Sequence, residues 1–103
     1  MASKKELSFF CVIPAPVILD KELMPNAKLL YGLIAGLENE KGYCWAKNSY
    51  FEKSLNCSKD TIIRMLNSLE QKGFIGKEII YSKQNPSQVI ERHLYVKLGV
   101  RGE

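Results

Sequence analysis

The residues whose types and spacing suggest chemistry lie in the run SKDTIIRMLNSLEQ. Arg64 can form two hydrogen bonds with the O6 and N7 atoms of guanine, and Asn67 can pair in a similar way with adenine. Lys59, Thr61 and the Ser58 hydroxyl are donors of the kind that bind phosphate, which is favoured beside a helix N-terminus. Base-edge donors next to phosphate donors indicate nucleic-acid recognition.

Two residues on the same predicted helix face do not fit a purely cationic surface. Ile63 is apolar, as a contact with a thymine methyl group requires, but partial burial against a neighbouring helix or hairpin explains it equally well. Asp60 repels phosphate unless it accepts a hydrogen bond from cytosine or pairs with Arg64 four residues later. An ordinary solvated helix face is the alternative for the basic residues when they are considered alone.

A second polar set lies further along the chain, between two apolar runs. Residues 82–88, SKQNPSQ, contain turn formers and are flanked by strand-like runs at 74–81 and 89–98. This pattern predicts a β-hairpin with a projecting loop, a wing. We expect the wing to contact the DNA backbone or minor groove, with an ordinary mobile polar loop as the alternative. The residues predicted to make these contacts are Lys77, Lys83, Gln84, Asn85, Gln88 and Arg92.

Two short helices joined by a tight turn, over residues 49–73, would position the first set. Ser58 is a good N-cap for the second helix, and Gly73 stands where a left-handed residue is expected to end it. Ser49 and Glu52 have the form of a capping box for the first helix, with Asn48 as the alternative cap. The apolar residues that would face the core are Ile62, Met65, Leu66 and Leu69.

Upstream, the pattern predicts one longer helix after a turn-rich lead-in. Pro25 suits a first helical turn, and apolar residues recur at intervals of three and four from 26 to 39. Core packing is the preferred interpretation of this helix. Gly32 and Gly36 nevertheless leave open the close approach of another helix, or a homodimer interface. Residues 9–13 predict a strand or extended segment.

Three further details bear on the sheet and its surroundings. Tyr43-Cys44-Trp45 is short and aromatic enough to be a strand. Strict alternation in the last run places Arg92 on the same face as Ile90 and Leu94, so that Arg92 lies at the wing root beyond the core, or a bulge shifts the register. The aromatic residues Tyr43, Trp45, Tyr50 and Tyr81 could form a stacking platform for single strands, but their scatter favours packing in and around the core.

The composition excludes several classes of protein. The 103 residues carry a net charge of +4, a mild excess that permits nucleic-acid binding without requiring it. No apolar run approaches the roughly 20 residues of a membrane span, so we expect a cytoplasmic protein. The odd number of cysteines and their wide spacing argue against disulfides and structural zinc, and predict reduced thiols in or near the core.

Catalytic chemistry is not expected. His93 is the lone histidine, and no nucleophile–base pair, phosphate loop or carboxylate pair stands out. We therefore predict neither an enzyme nor a metal or cofactor site. The elements together predict an α+β fold, a winged helix-turn-helix with three main helices, a small antiparallel sheet and a β-hairpin wing. It would form one domain over residues 1–103, with the helix-turn-helix at about 49–73 and the wing at about 74–98.

Three segments carry a resemblance to a known family. AKLLYG, GYCWAKN and SKDTIIRMLNSLEQKGFI, with the later ERHLYV, resemble the winged helix-turn-helix domain at the start of phage and plasmid replication initiator (replisome organizer) proteins of Gram-positive bacteria. The likeness covers about residues 9–97. The third segment is also typical of winged-helix transcription regulators, whereas the first two are more specific to the replication group.

The resemblance implies binding to double-stranded DNA at a replication origin, with the helix from 58 to 72 as the recognition helix. Such proteins are usually longer, and their further domains oligomerise or recruit helicase machinery. Contacts with replication proteins are thus expected through domains that these residues do not contain. The chain would be a domain of a longer parent or a small stand-alone binder. The alternatives are a transcription regulator and, in a different class, a protein–protein assembly module.

Overall fold

Four helices and then a β-hairpin follow one another along the chain. The computed structural model describes residues 10–98. The elements are α1 (Ala15–Ile18), α2 (Pro25–Lys41), α3 (Asn48–Leu55), α4 (Lys59–Gln71), β1 (Ile75–Tyr81) and β2 (Val89–Val96). The predicted α+β fold, a winged helix-turn-helix with three main helices, is confirmed. The short helix α1 is an addition, at the start of the segment predicted as a turn-rich lead-in.

Helix α2 is longer than predicted and forms one wall of the core. Pro25 occupies its first turn after the extended residue Met24, as the sequence predicted. Gly42 ends the helix in the left-handed conformation, with a φ of 87°, and its N–H donates to the Glu38 carbonyl. The buried side of the helix is formed by Ala27, Leu30, Tyr31, Ile34 and Leu37.

The N-terminal segment, and not another helix, lies against Gly32 of α2. A Cβ atom at Gly32 would lie 3.1 Å from the Cβ atom of Cys11 and 3.2 Å from Cγ1 of Ile13. Residues 10–13 form no strand, and position 9 of the predicted segment lies outside the described residues. Cys11 is exposed, which corrects the expectation of a thiol in or near the core, whereas Cys44 is buried and Cys57 is half-buried.

Helix α3 begins without the predicted capping box. Its N-cap is Lys47, which is extended and whose side chain makes no capping hydrogen bond. Ser49 and the alternative cap Asn48 are therefore both inside the helix, since α3 starts earlier than the sequence pattern indicated. Asn56, with a φ of 54°, ends α3 in the left-handed conformation and opens the turn to α4.

Helix α4 has both of its predicted ends. The Ser58 Oγ atom accepts a hydrogen bond from the Thr61 N–H at 3.2 Å, so Ser58 is the N-cap. At the other end Gly73 has a φ of 78°, and the N–H of Phe74 donates to the Leu69 carbonyl. The predicted inward residues Ile62, Met65, Leu66 and Leu69 are all buried.

Strands β1 and β2 form a two-stranded antiparallel sheet with one irregularity. Ile80 pairs with Glu91 and Tyr81 pairs with Val89, so Ile90 is the extra residue of a bulge. Both explanations offered for Arg92 apply in part: the bulge moves Ile90 off the shared face, and Arg92 stays on the face of Leu94 at the wing root. Leu94 is buried while Ile90 is exposed, because the bulge separates them.

The segment before α3 pairs with the hairpin through one backbone bridge. Cys44 and Leu94 exchange two backbone hydrogen bonds of 2.7 and 2.8 Å, which makes an isolated β-bridge. The predicted strand at Tyr43–Trp45 is thus reduced to one residue.

Candidate nucleic-acid interface

The outer face of α4 is free for contact with a partner. The predicted residues Lys59, Asp60, Ile63, Arg64, Asn67 and Gln71 are all exposed. Ile63 has 38% of its surface exposed, so it is neither buried against α3 nor fully solvated. Among residues 10–98 no ion pair includes Arg64, and the pairing with Asp60 that was one of two alternatives is not formed. The guanidinium is therefore available to an external acceptor.

The start of α4 combines a satisfied cap with an exposed cation. Besides accepting from the Thr61 N–H, the Ser58 hydroxyl donates to Thr61 Oγ1 at 3.0 Å. Both hydroxyls are thus engaged with each other, and Thr61 is half-buried. Lys59 projects from the first turn, where the partial positive charge of the helix N-terminus adds to its own. This end of α4 is electrostatically suited to a phosphate.

A groove brings α4 next to the base of the wing. Its volume is about 150 Å³, and it is lined by residues of α4, both strands and the start of α3. Among the lining residues are Ile63, Asn67, Lys77 and Arg92, four of the residues predicted to contact DNA. The fold therefore joins the two predicted sets, which are separated in the sequence. Lys77 also lies 3.6 Å from a carboxylate oxygen of Glu70, which partly offsets its charge.

Arg92 ties the hairpin to the segment before α3. Its Nη2 atom donates to the Ala46 carbonyl at 2.9 Å, and the side chain is half-buried. Burial lowers the pKa of the Arg92 guanidinium, while the nearby Cys44 acts in the opposite direction. The ordinary pKa of arginine is so high that the side chain stays charged. Arg92 thus supports the wing root, and the remaining N–H donors of its guanidinium can bind a ligand.

The wing loop is ordered by its own hydrogen bonds. Ser82 Oγ accepts from the N–H groups of Gln84 and Asn85, at 3.1 and 3.2 Å. Asn85 Oδ1 accepts from the Ser87 hydroxyl at 2.9 Å, and the Ser82 N–H donates to the Gln88 carbonyl. Asn85 is therefore occupied within the loop. Lys83, Gln84 and Gln88 are exposed on this hydrogen-bonded loop.

The predicted aromatic set divides into two half-buried and two exposed residues. The Tyr43 ring stacks on His93 with ring centroids 3.7 Å apart, and the Tyr50 ring packs edge-on against Phe51. Trp45 and Tyr81 are about half exposed. Packing therefore accounts for two of the four aromatic residues, as the preferred interpretation held, and leaves Trp45 and Tyr81 at the surface.

Sequence reasoning missed Asn48 as a residue of this region. Asn48 lines the α4 groove, and its Oδ1 atom is buried with no hydrogen-bond partner among the described residues. The available signal was its place in the sequence: Asn48 ends the run GYCWAKN, directly after Lys47 and three residues after Trp45. Within residues 10–98 we find no cluster of candidate metal ligands. No helix in that part of the chain combines the length and hydrophobicity needed to cross a membrane.

The comparisons with known proteins agree with this geometry. A family model described as a helix-turn-helix domain matches residues 21–75, more than half of the chain. A solved structure described as the N-terminal domain of a DNA binding protein is similar in fold, with a TM-score of 0.60 and 19% sequence identity. The match covers 94% of this chain and 80% of that one. No curated protein matches the sequence.

Proposed function

The chain belongs to the helix-turn-helix domain family, and we propose that it binds double-stranded DNA with α4 as the recognition helix. In this motif the second helix enters the major groove and its N-terminal residues contact base edges. The observation that carries the proposal is the outer face of α4. It is solvent-accessible along one side, begins at a satisfied cap, and holds Arg64 without an ion-pair partner among the described residues.

Each residue of this face has a defined part in the proposal. Arg64 pairs with guanine and Asn67 with adenine, while Ile63 packs on a thymine methyl group at the mouth of the α4 groove. Lys59 binds phosphate at the start of the helix, with Ser58 and Thr61 holding the backbone N–H groups in place. Asp60 accepts a hydrogen bond from a cytosine amino group, because that is the base contact in which a carboxylate on this face is favourable.

The wing supplies contacts that do not depend on sequence. Lys83, Gln84 and Gln88 bind the sugar–phosphate backbone beyond the major groove, and the hydrogen-bonded loop supports them. Asn85 acts mainly by shaping that loop. Lys77 and Arg92 fix the base of the wing against the helices, and the charge of each also draws the phosphate backbone towards the groove.

The biological role that we propose is origin recognition in phage or plasmid replication. Its support is the resemblance of AKLLYG and GYCWAKN to replication initiator domains, a resemblance that the more general helix-turn-helix segment does not provide by itself. The protein would act in the cytoplasm as a binder and not as an enzyme. Contacts with other replication proteins would be made through further domains that these residues do not contain.

Substitutions on α4 and the wing test the division between base and backbone contacts. A high-affinity duplex is first selected from random sequences. Arg64→Ala should weaken binding to it by roughly 1–3 kcal/mol and relax the preference at one base position. Lys83→Ala should weaken binding about equally for all sequences. Lys21→Ala, an exposed lysine before α2, is the matched control and should change neither quantity.

The replication role requires a different experiment. DNA fragments of the replicon that encodes the protein are captured on the immobilised full chain and sequenced. We expect enrichment of the replication origin. Enrichment confined to promoters would instead support a transcription regulator. No enrichment, together with no affinity for any duplex, would support an assembly module that uses the same fold.

A further inference from the structure

A second and larger cleft shares Arg92 and Asn48 with the α4 groove. Its volume is about 660 Å³, within the range of about 300–1,000 Å³ typical of ligand sites. The walls are the segment between α2 and α3 and the first residues of β2. Because Arg92 and Asn48 line both cavities, this cleft adjoins the face that we assign to duplex DNA. Of the residues assigned to duplex contacts, Arg92 alone lines this cleft.

The chemistry of the cleft combines one open aromatic ring with positive charge. Trp45 has 48% of its surface exposed, and Val89 and Ile90 form an exposed apolar wall beside it. Lys41 lies over the indole ring, with its Nζ atom 4.9 Å from the ring centroid, and Lys47 is exposed at the rim. A large apolar ring among ammonium groups fits a ligand that is both flat and anionic.

The charge balance and the helix end favour an anion more specifically. The cleft is lined by three cationic side chains, from Lys41, Lys47 and Arg92, and by one carboxylate, from Glu91. That carboxylate lies 2.6 Å from His93 Nε2, so its hydrogen-bonding capacity is partly used. The N-terminus of α3 opens here without a side-chain cap, which leaves backbone N–H groups able to donate to phosphate oxygens.

Asn48 adds a polar residue to the lining of the cleft. Its Oδ1 atom is buried and out of reach of a ligand, whereas the residue as a whole is half-buried. The NH2 group of such an amide is a donor that suits an acceptor on the edge of a nucleobase. The cleft therefore combines a stacking surface and a phosphate contact with a polar residue in its lining.

We propose that this cleft binds a nucleotide unit of single-stranded DNA. The base stacks on the exposed part of Trp45, and its phosphate lies against Lys47, Arg92 and the start of α3. Stacking of bases on aromatic side chains in a cationic groove is how single strands are bound without sequence preference. A strand that leaves the duplex beside the wing root would enter the cleft past Arg92. This site is independent of duplex recognition by α4 and does not require it.

Trp45 is the single tryptophan of the sequence, so its fluorescence reports on the cleft directly. The full chain is titrated with oligothymidylate, with thymidine monophosphate and with a closed hairpin duplex. We expect saturable quenching by oligothymidylate at concentrations where the monophosphate has little effect. Equal quenching by the monophosphate would contradict the proposal of a single strand and identify a free nucleotide as the ligand. No quenching by either, or quenching by the duplex alone, would overturn the proposal.

Variants then separate this site from duplex binding, with a labelled oligothymidylate followed by fluorescence anisotropy. Trp45→Ala should weaken single-strand binding about 5- to 150-fold, and Trp45→Phe should restore part of it because the ring remains. Phe10→Ala is the matched control, since Phe10 is an exposed aromatic residue outside the cleft. Arg64→Ala should leave single-strand binding unchanged. Unaltered affinity of Trp45→Ala would refute the proposal, even if duplex binding by α4 were established.

Discussion

Substitutions of Ser58, the N-cap of α4, should affect the stability of the fold and the affinity for DNA differently. Ser58→Ala removes the acceptor of the Thr61 N–H bond, 3.2 Å long, and the donor of the 3.0 Å bond to Thr61 Oγ1. Replacing a serine N-cap by alanine costs about 0.5–2 kcal/mol. Both bonds are exposed, so water can hydrate the freed N–H group, and we expect a loss of about 1 kcal/mol in the free energy of unfolding.

The loss should be global because α4 carries much of the core. Four of its residues are buried, so fraying of its first turn loosens contacts with the rest of the domain. A loss of about 1 kcal/mol corresponds to a fall in Tm of roughly 4–8 °C in a domain of this size. Ser58→Asp should recover most of the stability, since aspartate is an equally good cap. It should nevertheless weaken duplex binding, because a carboxylate then stands where we place a phosphate.

The free energies of unfolding of the unchanged protein, Ser58→Ala and Ser58→Asp are measured by urea denaturation, followed by circular dichroism. Ser54→Ala is the control, because Ser54 is an exposed serine in α3 that caps no helix. It should be neutral or slightly stabilising, since alanine has the higher helix propensity. Equal stability of Ser58→Ala and the unchanged protein would refute the assignment of the cap. If Ser58→Asp left duplex affinity as high as in the unchanged protein, the phosphate position would be wrong.

Three further predictions concern the scaffold. Burial raises the pKa of the Asp20 carboxyl, but hydrogen bonds from the Glu22 N–H and Lys72 outweigh this and bring the pKa below its ordinary value. The ionised carboxylate therefore stabilises the fold above about pH 4, and this contribution is lost as the pH falls through the lowered pKa. Asp20→Asn should thus make the free energy of unfolding less dependent on pH on the acid side. Phe51→Ala, at a fully buried site, should cost about 3–5 kcal/mol in urea denaturation. Gly42→Ala should lower the free energy of unfolding by about 1 kcal/mol in the same assay, because its φ of 87° disfavours a Cβ atom.

The elements that were predicted well are those with signals close together in the sequence. Helix α4 has a serine cap, an apolar period and a terminal glycine, and each was confirmed at its residue. The start of α3 was predicted wrongly, because the Ser49 motif is local whereas the extended backbone at Lys47 depends on the bridge between Cys44 and the hairpin. Local capping preferences lose to tertiary contacts when the two disagree.

The candidate site shows the same division. The exposed face of α4 followed from helical periodicity, so Arg64 and Asn67 were placed correctly on the surface. The groove and the cleft were not predictable, since they join Asn48 to Arg92 across a large separation in the sequence. The role of Arg92 as a donor to the Ala46 carbonyl depends on that same contact. Only the folded chain brings these residues together.

The salt dependence of duplex binding tests the central claim most directly. The affinity of the full chain for its selected duplex is measured over a range of salt concentrations. If α4 and the wing bind DNA as proposed, log K should fall linearly with log salt concentration, with a slope of about −0.9 for each phosphate neutralised. Lys83→Ala should make the slope shallower by about one unit, and Arg64→Ala should leave the slope nearly unchanged while lowering affinity. Affinity independent of salt, or no measurable affinity at low salt, would contradict the account.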